Sequence, residues 1–392
     1  MQLRNLIDFL NNSHQAVYNS QPYHRRRVYM KIANKLNQLT GLRYFAALLV
    51  FLSHLKWSGS SEILVKIFES GYVGVSFFFL LSGFVLSHSY KERILDKSLS
   101  CFKYILLRLA RLTPLHFLTA LPFILLATYK ADINIFKAIV NLSYLQSWIP
   151  SSSYYFSFNA PSWSLSNEMF FYFCFFPLVF LNTKNLVKIF LALLLTILTS
   201  ALFFTTQLSG LKLFGGNTLA HWLFYIFPGF RILEFIAGML IFQLWKTGYR
   251  LPHWVTSASY ILLITSMYFA NQIPEPFRLS LYFIPFVSLF FYANLTEDTP
   301  SYRLFSTKYL TLLGNASFAF YLIHQPLINI LERLTQKYNL SYLPFFILCL
   351  SVATLASIFI YIFYEKKAES FLKNYISNKI QNQTILATKA NH

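Results

Sequence analysis

Long uninterrupted apolar stretches constrain this chain more than any other feature. About 20 apolar residues span the hydrocarbon core of a bilayer as one helix. The sequence holds ten such runs, at roughly 39–57, 72–90, 112–129, 163–181, 186–206, 225–245, 254–270, 278–294, 317–334 and 343–364. They are too long and too continuously apolar for the alternating strands of a membrane barrel, and an open strand cannot satisfy its backbone in lipid. Composition agrees: 12% of the residues are charged, against roughly 25% in soluble domains. The expected fold is therefore an all-α polytopic membrane protein, a bundle of about ten transmembrane helices in contact with membrane lipids.

The charge balance supplies an orientation. Lys and Arg number 33 against 14 Asp and Glu, a formal charge of +19. In a soluble chain that excess would suggest nucleic acid. Here no nucleic-acid partner is expected, because basic residues collect in the cytoplasmic loops of membrane proteins. With both termini cytoplasmic, 22 basic residues fall in cytoplasmic segments and 7 in outer loops. Residues 1–38, with Arg25, Arg26 and Arg27, read as a basic cytoplasmic or interfacial segment. Residues 39–364 form the membrane domain, and 365–392 a basic cytoplasmic tail. Residues 130–162 are the longest outer loop and a candidate cap for an outward-facing site. Three scattered cysteines show no metal-ligand spacing, and no Gly-rich phosphate loop, GxSxG or HExxH occurs. Neither a metal nor a permanently bound cofactor is expected.

Ionisable groups inside apolar runs are costly and mark functional sites by default. The first run reads LTGLRYFAALLVFLSH, with Arg43 and His54 eleven residues apart. That is close to three turns and about 16 Å of rise, so both share one helix face. The fourth reads PSWSLSNEMFFYFCFFP. Glu168 lies near its N-terminus, either as a dipole-stabilised acid or as a buried carboxylate that orients a His or holds a hydroxyl. In RILEFIAG, Arg231 and Glu234 stand three apart and read as a structural ion pair. In SFAFYLIHQP, Ser317, Tyr321 and His324 fall within about 60° on the helix. That polar stripe suits helix packing or a cavity wall, and Tyr321 and His324 are candidate substrate-binding groups. RLARLTP carries Arg108 and Arg111 in the loop 91–111, with Pro114 expected to begin the next helix. The two arginines read as topological anchors or as a phosphate clamp.

Five segments together resemble the acyltransferase 3 family of integral membrane enzymes. The Arg, ten residues, His element falls at Arg43 and His54, and GYVGVSFFFLLSGFVLS matches the second-helix element. RLARLTPLH matches Arg-x-x-Arg, PSWSLSNEMFFYFCFFP the Trp-Ser-Leu and acidic element, and SFAFYLIHQP the late Tyr-Leu-x-His element. The likeness runs in family order from about Leu39 to Tyr364. Thr40 stands where the family commonly has Asp, Tyr44 where it has a small residue, and Asn167 where it has an apolar one.

The resemblance implies a multi-pass O-acyltransferase of the bacterial inner (plasma) membrane. It would be a stand-alone member without the extracytoplasmic hydrolase-like domain that some members carry. Its co-substrate would be acyl-CoA, acetyl-CoA first among candidates, and its acceptor a hydroxyl of a cell-surface carbohydrate or lipid-linked glycan. On that reading His54 is the base or nucleophile, and Glu168 orients it or holds the acceptor. Arg43 binds coenzyme A or the developing oxyanion, and Arg108 and Arg111 hold the donor's phosphates. The competing class is a multi-pass transporter or flippase, although no repeat of the kind transporters show is present.

Overall fold

The computed structural model describes residues 23–57, 60–208, 210–212, 216–338 and 340–390, with side chains described from 37 to 379 within those ranges. Residues 1–22 of the basic N-terminal segment lie outside the described residues, and so do the side chains of Arg25, Arg26 and Arg27. The chain is 83% helical, with no sheet among the described residues. The helices of eight residues or more are α1 Tyr23–Ser53, α2 Glu62–Glu69, α3 Val73–Leu95, α4 Cys101–Tyr129, α5 Ile135–Leu142, α6 Trp163–Val179 and α7 Thr183–Gln207. They continue as α8 Pro228–Lys246, α9 His253–Phe269, α10 Phe283–Ala293, α11 Lys308–Asn315, α12 Ser317–Thr335, α13 Tyr342–Ile360 and α14 Lys366–Ala390.

Each of the ten apolar runs falls on one of these helices. Among the described residues, six helical stretches are long and apolar enough to cross a membrane by themselves: Glu62–Leu95, Cys101–Tyr129, Thr183–Gln207, Leu219–Lys246, Glu275–Ala293 and Tyr342–Lys379. The other four runs lie on α1, α6, α9 and α12. Of these, α6 and α9 have 17 residues each, while α1 carries Arg43 and α12 carries His324.

The core is organised around α3. It packs against α8, α1, α6 and α10, and little of it reaches the surface between Val73 and Ser87. A small-residue contact sets the α3–α8 approach. A Cβ on Gly83 would lie 1.9 Å from the Phe235 carbonyl oxygen, and one on Gly238 would lie 1.9 Å from the Leu80 carbonyl oxygen. Any side chain at either place would separate the helices, so these glycines serve close backbone approach, as small residues do in membrane bundles.

Three sequence-based boundaries need correction. Pro114 does not begin a helix: α4 starts at Cys101, N-capped by Ser100, and both Pro114 and Pro122 lie inside it. Membrane helices tolerate interior proline because neighbours re-satisfy the carbonyl freed one turn before it; separately, the Tyr364 hydroxyl donates to the Pro114 carbonyl at 3.1 Å and ties the segment between α13 and α14 to α4. The connection between α3 and α4 is consequently five residues, 96–100, rather than 91–111. Arg108 and Arg111 thus sit on a helix wall and not in a loop. Finally, most of the basic tail is α14, which docks on α4.

The stretch 130–162, expected from the sequence to be an outer loop, is folded as well. Residues 130–162 hold α5 and short turns at Gln146–Trp148, Ser152–Tyr155 and Ala160–Ser162. Buried side chains pin it: Asn141 Nδ2 donates to the Ser157 carbonyl (3.1 Å), Gln146 Nε2 to Ser162 (2.9 Å), Ser147 Oγ to Trp163 (2.7 Å) and Asn159 Nδ2 to Leu322 (3.0 Å). Irregular backbone at membrane depth persists only where protein supplies such partners. The last bond ties the loop to α12 between Tyr321 and His324.

Candidate active site

A cavity of about 500 Å³ opens among α1, α3, α4, α6, α12 and α14. Its walls include Arg43, Ser82, Arg108, Arg111, Ser164, Glu168, Tyr172, Ser317, Tyr321, Lys366, Glu369, Ser370 and Lys373, backed by apolar residues of α3 and α6. A volume of this order suits a small-molecule site, with apolar walls and a few convergent polar groups. Charges on the walls are mostly basic.

The helices place each polar group for a local reason. Glu168 is the sixth residue of α6, so its side chain stays near that helix N-terminus. Ser82 Oγ of α3 donates to Glu168 Oε2 at 3.1 Å. Tyr172, one turn on, lies beside the same carboxylate, which also feels the charges of Arg108 and Arg43. Ser164, one turn before Glu168, donates to the Pro161 carbonyl at 3.1 Å and is hydrogen-bonded by Tyr321 of α12. That Tyr321–Ser164 link joins α12 to α6 at the cavity wall.

The three arginines differ. Arg111 Nη1 donates to Glu365 Oε1 at 2.6 Å and Glu369 Oε2 at 2.7 Å. Two carboxylates already occupy it. Arg108 lies between the rings of Tyr90 (5.1 Å) and Tyr172 (5.4 Å). Its Nε is buried without a hydrogen-bond partner, and no carboxylate pairs with it among the described residues. Arg43 is half-buried on the cavity wall and likewise makes no hydrogen bond to a described residue. Guanidinium groups with unspent donors in a cavity present a fork for phosphate or carboxylate oxygens.

Arg43 and His54 are not brought together. Arg43 lines the cavity and His54 does not. His54 follows the last residue of α1 and is exposed at the helix end. There its ring packs edge-on against His324, with centroids 4.9 Å apart. His324 is fully buried. His54 Nδ1 lies 2.8 Å from the Val50 carbonyl oxygen, and His324 Nδ1 lies 2.6 Å from that of Tyr321. A carbonyl only accepts, so in both rings Nδ1 carries the proton and Nε2 the lone pair. His324 Nε2 is buried without a partner. Tyr321 thus faces the cavity, and one turn further along α12 His324 meets His54.

Arg231 and Glu234 lie elsewhere, both nearly inaccessible, with Nε 3.1 Å from Oε2. Arg231 Nη1 also donates to the Leu279 carbonyl (2.9 Å), and its Nη2 to Ser76 Oγ (3.2 Å). Its charge is met and its terminal donors are spent inside the bundle.

Sequence reasoning missed the α14 wall formed by Lys366, Glu369, Ser370 and Lys373. The signal was present: these positions are spaced as one helix face, and Glu365 and Glu369 stand one turn apart. The Ser82 contact to Glu168 was hidden, because a lone serine in an apolar run has no distinguishing pattern.

Several known proteins are similar to this chain. The profile of a family described as an acyltransferase domain matches residues 36–362. Acyltransferase MdmB of Streptomyces mycarofaciens is 32% identical over 321 residues, covering 76% of this chain and 81% of that protein. Peptidoglycan O-acetyltransferase OatA of Listeria monocytogenes is 26% identical, covering 74% of this chain and 49% of its own length. The putative peptidoglycan O-acetyltransferase YrhL of Bacillus subtilis is also 26% identical, with 74% and 48% covered. The chain thus spans about half the length of these last two relatives. No solved structure matches the chain.

Proposed function

The chain belongs to the acyltransferase 3 family and is a multi-pass membrane O-acyltransferase; from that premise we propose that it moves an acyl group, acetyl first, from acyl-CoA to a hydroxyl of a cell-surface carbohydrate or lipid-linked glycan. Membership separates it from the transporter alternative. The observation that carries the donor assignment is the cavity with unspent guanidiniums at Arg43 and Arg108. Coenzyme A is a polyanion, and a basic pocket with free donors favours it. The basic residues of the segments around the cavity support a cytoplasmic face for it, the side on which acyl-CoA is available. The acceptor class rests on the relatives named for peptidoglycan O-acetylation.

The proposed chemistry gives each group a role. The donor's phosphates lie against Arg108 and Arg43, while Arg111 stays bound to Glu365 and Glu369, and the pantetheine arm runs toward Tyr321 and Glu168. The acceptor hydroxyl comes from the side of His54. His54 Nε2, with its lone pair free, takes the hydroxyl proton as the oxygen attacks the thioester carbonyl, the C–S bond breaks, and the thiolate leaves and is reprotonated. His324 supports this ring at its buried edge, and Glu168 holds the acceptor or the leaving group by charge and hydrogen bonding.

The test is mass spectrometry of cell-envelope glycans from cells with the intact gene, without it, and with His54→Ala. The expected result is an acyl-sized mass that only the intact gene restores. Full acylation without the gene contradicts the assignment.

A further inference from the structure

Four cavity-lining residues lie beyond residue 362, where the family match ends: Lys366, Glu369, Ser370 and Lys373. All four sit on α14, at spacings of three, one and three residues, and therefore on one helix face. The face is fixed in place. Glu365 and Glu369 both bind Arg111 of α4, and Glu369 Oε1 also binds Lys373 Nζ at 2.5 Å. Acidic groups thus anchor α14 to the wall. Lys366 has no carboxylate partner among the described residues, and Lys373 shares one that Arg111 also uses. Arg108 lines the same cavity with its Nε unpartnered.

The arrangement gives four cations with unspent donors, Arg43, Arg108, Lys366 and Lys373, around a cavity lined among the described residues by two carboxylates, Glu168 and Glu369, the second already shared by Arg111 and Lys373. A single phosphate does not need that many. A nucleotide with a pyrophosphate and a separate ribose phosphate does, since each dianionic group satisfies two or more donors. Apolar residues deeper in the pocket suit the neutral arm that follows.

We propose that α14 is part of the donor site, with Lys366 and Lys373 binding the 3′-phosphate of coenzyme A, so that the enzyme selects free CoA thioesters over pantetheine thioesters that lack the phosphorylated nucleotide. Glu369 bridges Arg111 and Lys373, one carboxylate oxygen to each. This rests on the acyl-CoA reading above and deepens it.

The experiment measures binding of CoA, 3′-dephospho-CoA and pantetheine by isothermal titration to the full chain in lipid nanodiscs. The wild-type protein binds CoA roughly tenfold more tightly than 3′-dephospho-CoA, the size of one charge-assisted contact. In Lys366→Ala/Lys373→Ala that ratio falls to near one while 3′-dephospho-CoA affinity changes little, and Lys366→Arg/Lys373→Arg restores it. Because the ratio is taken within each variant, partial loss of folded protein cancels. An unchanged ratio in the double alanine variant overturns the proposal while leaving the donor reading intact, and so does an equal weakening of all three ligands. Absence of binding by all three to the wild-type protein overturns the donor reading itself.

Discussion

Arg108 and Arg231 make an instructive pair. Each guanidinium lies between two aromatic rings, Tyr90 and Tyr172 around Arg108, Phe79 and Tyr225 around Arg231, all at 5.1–5.4 Å. Each sits in an apolar bundle. The difference lies in what happens to the N–H donors. In both, Nε is buried without a hydrogen bond, but the two terminal nitrogens of Arg231 donate to a carbonyl and a serine and its charge pairs with Glu234, whereas Arg108 makes no hydrogen bond to a described residue and faces a cavity. A buried arginine with its terminal donors spent and its charge paired holds helices together. One with its donors unspent, next to space, is prepared for a ligand.

The largest expected effect falls outside this pair and sets its scale. His54→Ala lowers acyl transfer by about two to four orders of magnitude, the contribution of a positioned general base, with membrane abundance unchanged by immunoblot. Loss of abundance in parallel with activity would instead make His54 a packing residue.

Arg231→Met comes next and should act on the fold. It leaves Glu234 buried without its counter-charge, which costs about 3–5 kcal/mol. Folded protein, read by size-exclusion fluorescence, falls sharply. Arg231→Met/Glu234→Leu recovers most of it, because removing both charges removes the unpaired one. If the double variant is no better than the single, the pair is not the reason Arg231 matters.

Arg108→Ala should do the reverse. Folded protein is retained, while the apparent KM for acetyl-CoA rises roughly tenfold, equivalent to one charge-assisted contact. Arg108→Lys recovers part of the loss, since it keeps the charge and forfeits the fork. The smallest effect is at Ser82→Ala, which deletes the 3.1 Å bond to Glu168. One neutral donor is worth about 1 kcal/mol, so turnover falls about fivefold. No change in turnover would remove Glu168 from the working part of the site.

The amino-acid sequence discloses the class of fold and much of the site, for a physical reason. Polar and ionisable residues stand out in apolar runs, so Arg43, Glu168, Arg108, Arg111 and Tyr321 are legible from residue pattern alone, and all of them line the cavity. Helical phase puts Arg43 and His54 on one face, yet it cannot tell that the cavity stops short of His54, because a cavity is bounded by neighbouring helices. Nor can it distinguish Arg108 from Arg111, three residues away. That distinction depends on Glu365 and Glu369, which arrive from the far end of the chain. Pro114 misleads the boundary of α4, since a rule from aqueous helices does not carry into a membrane bundle, where proline is tolerated inside a helix.

The most direct test is the equilibrium affinity of CoA for the purified full chain in nanodiscs, compared between wild type and Arg43→Ala/Arg108→Ala at matched folded fraction. The account predicts saturable binding to the wild type that weakens with rising salt and weakens at least tenfold in the double variant. Equal affinity in both proteins would show that the unspent guanidiniums are not what the donor meets, and the assignment of the cavity would fall.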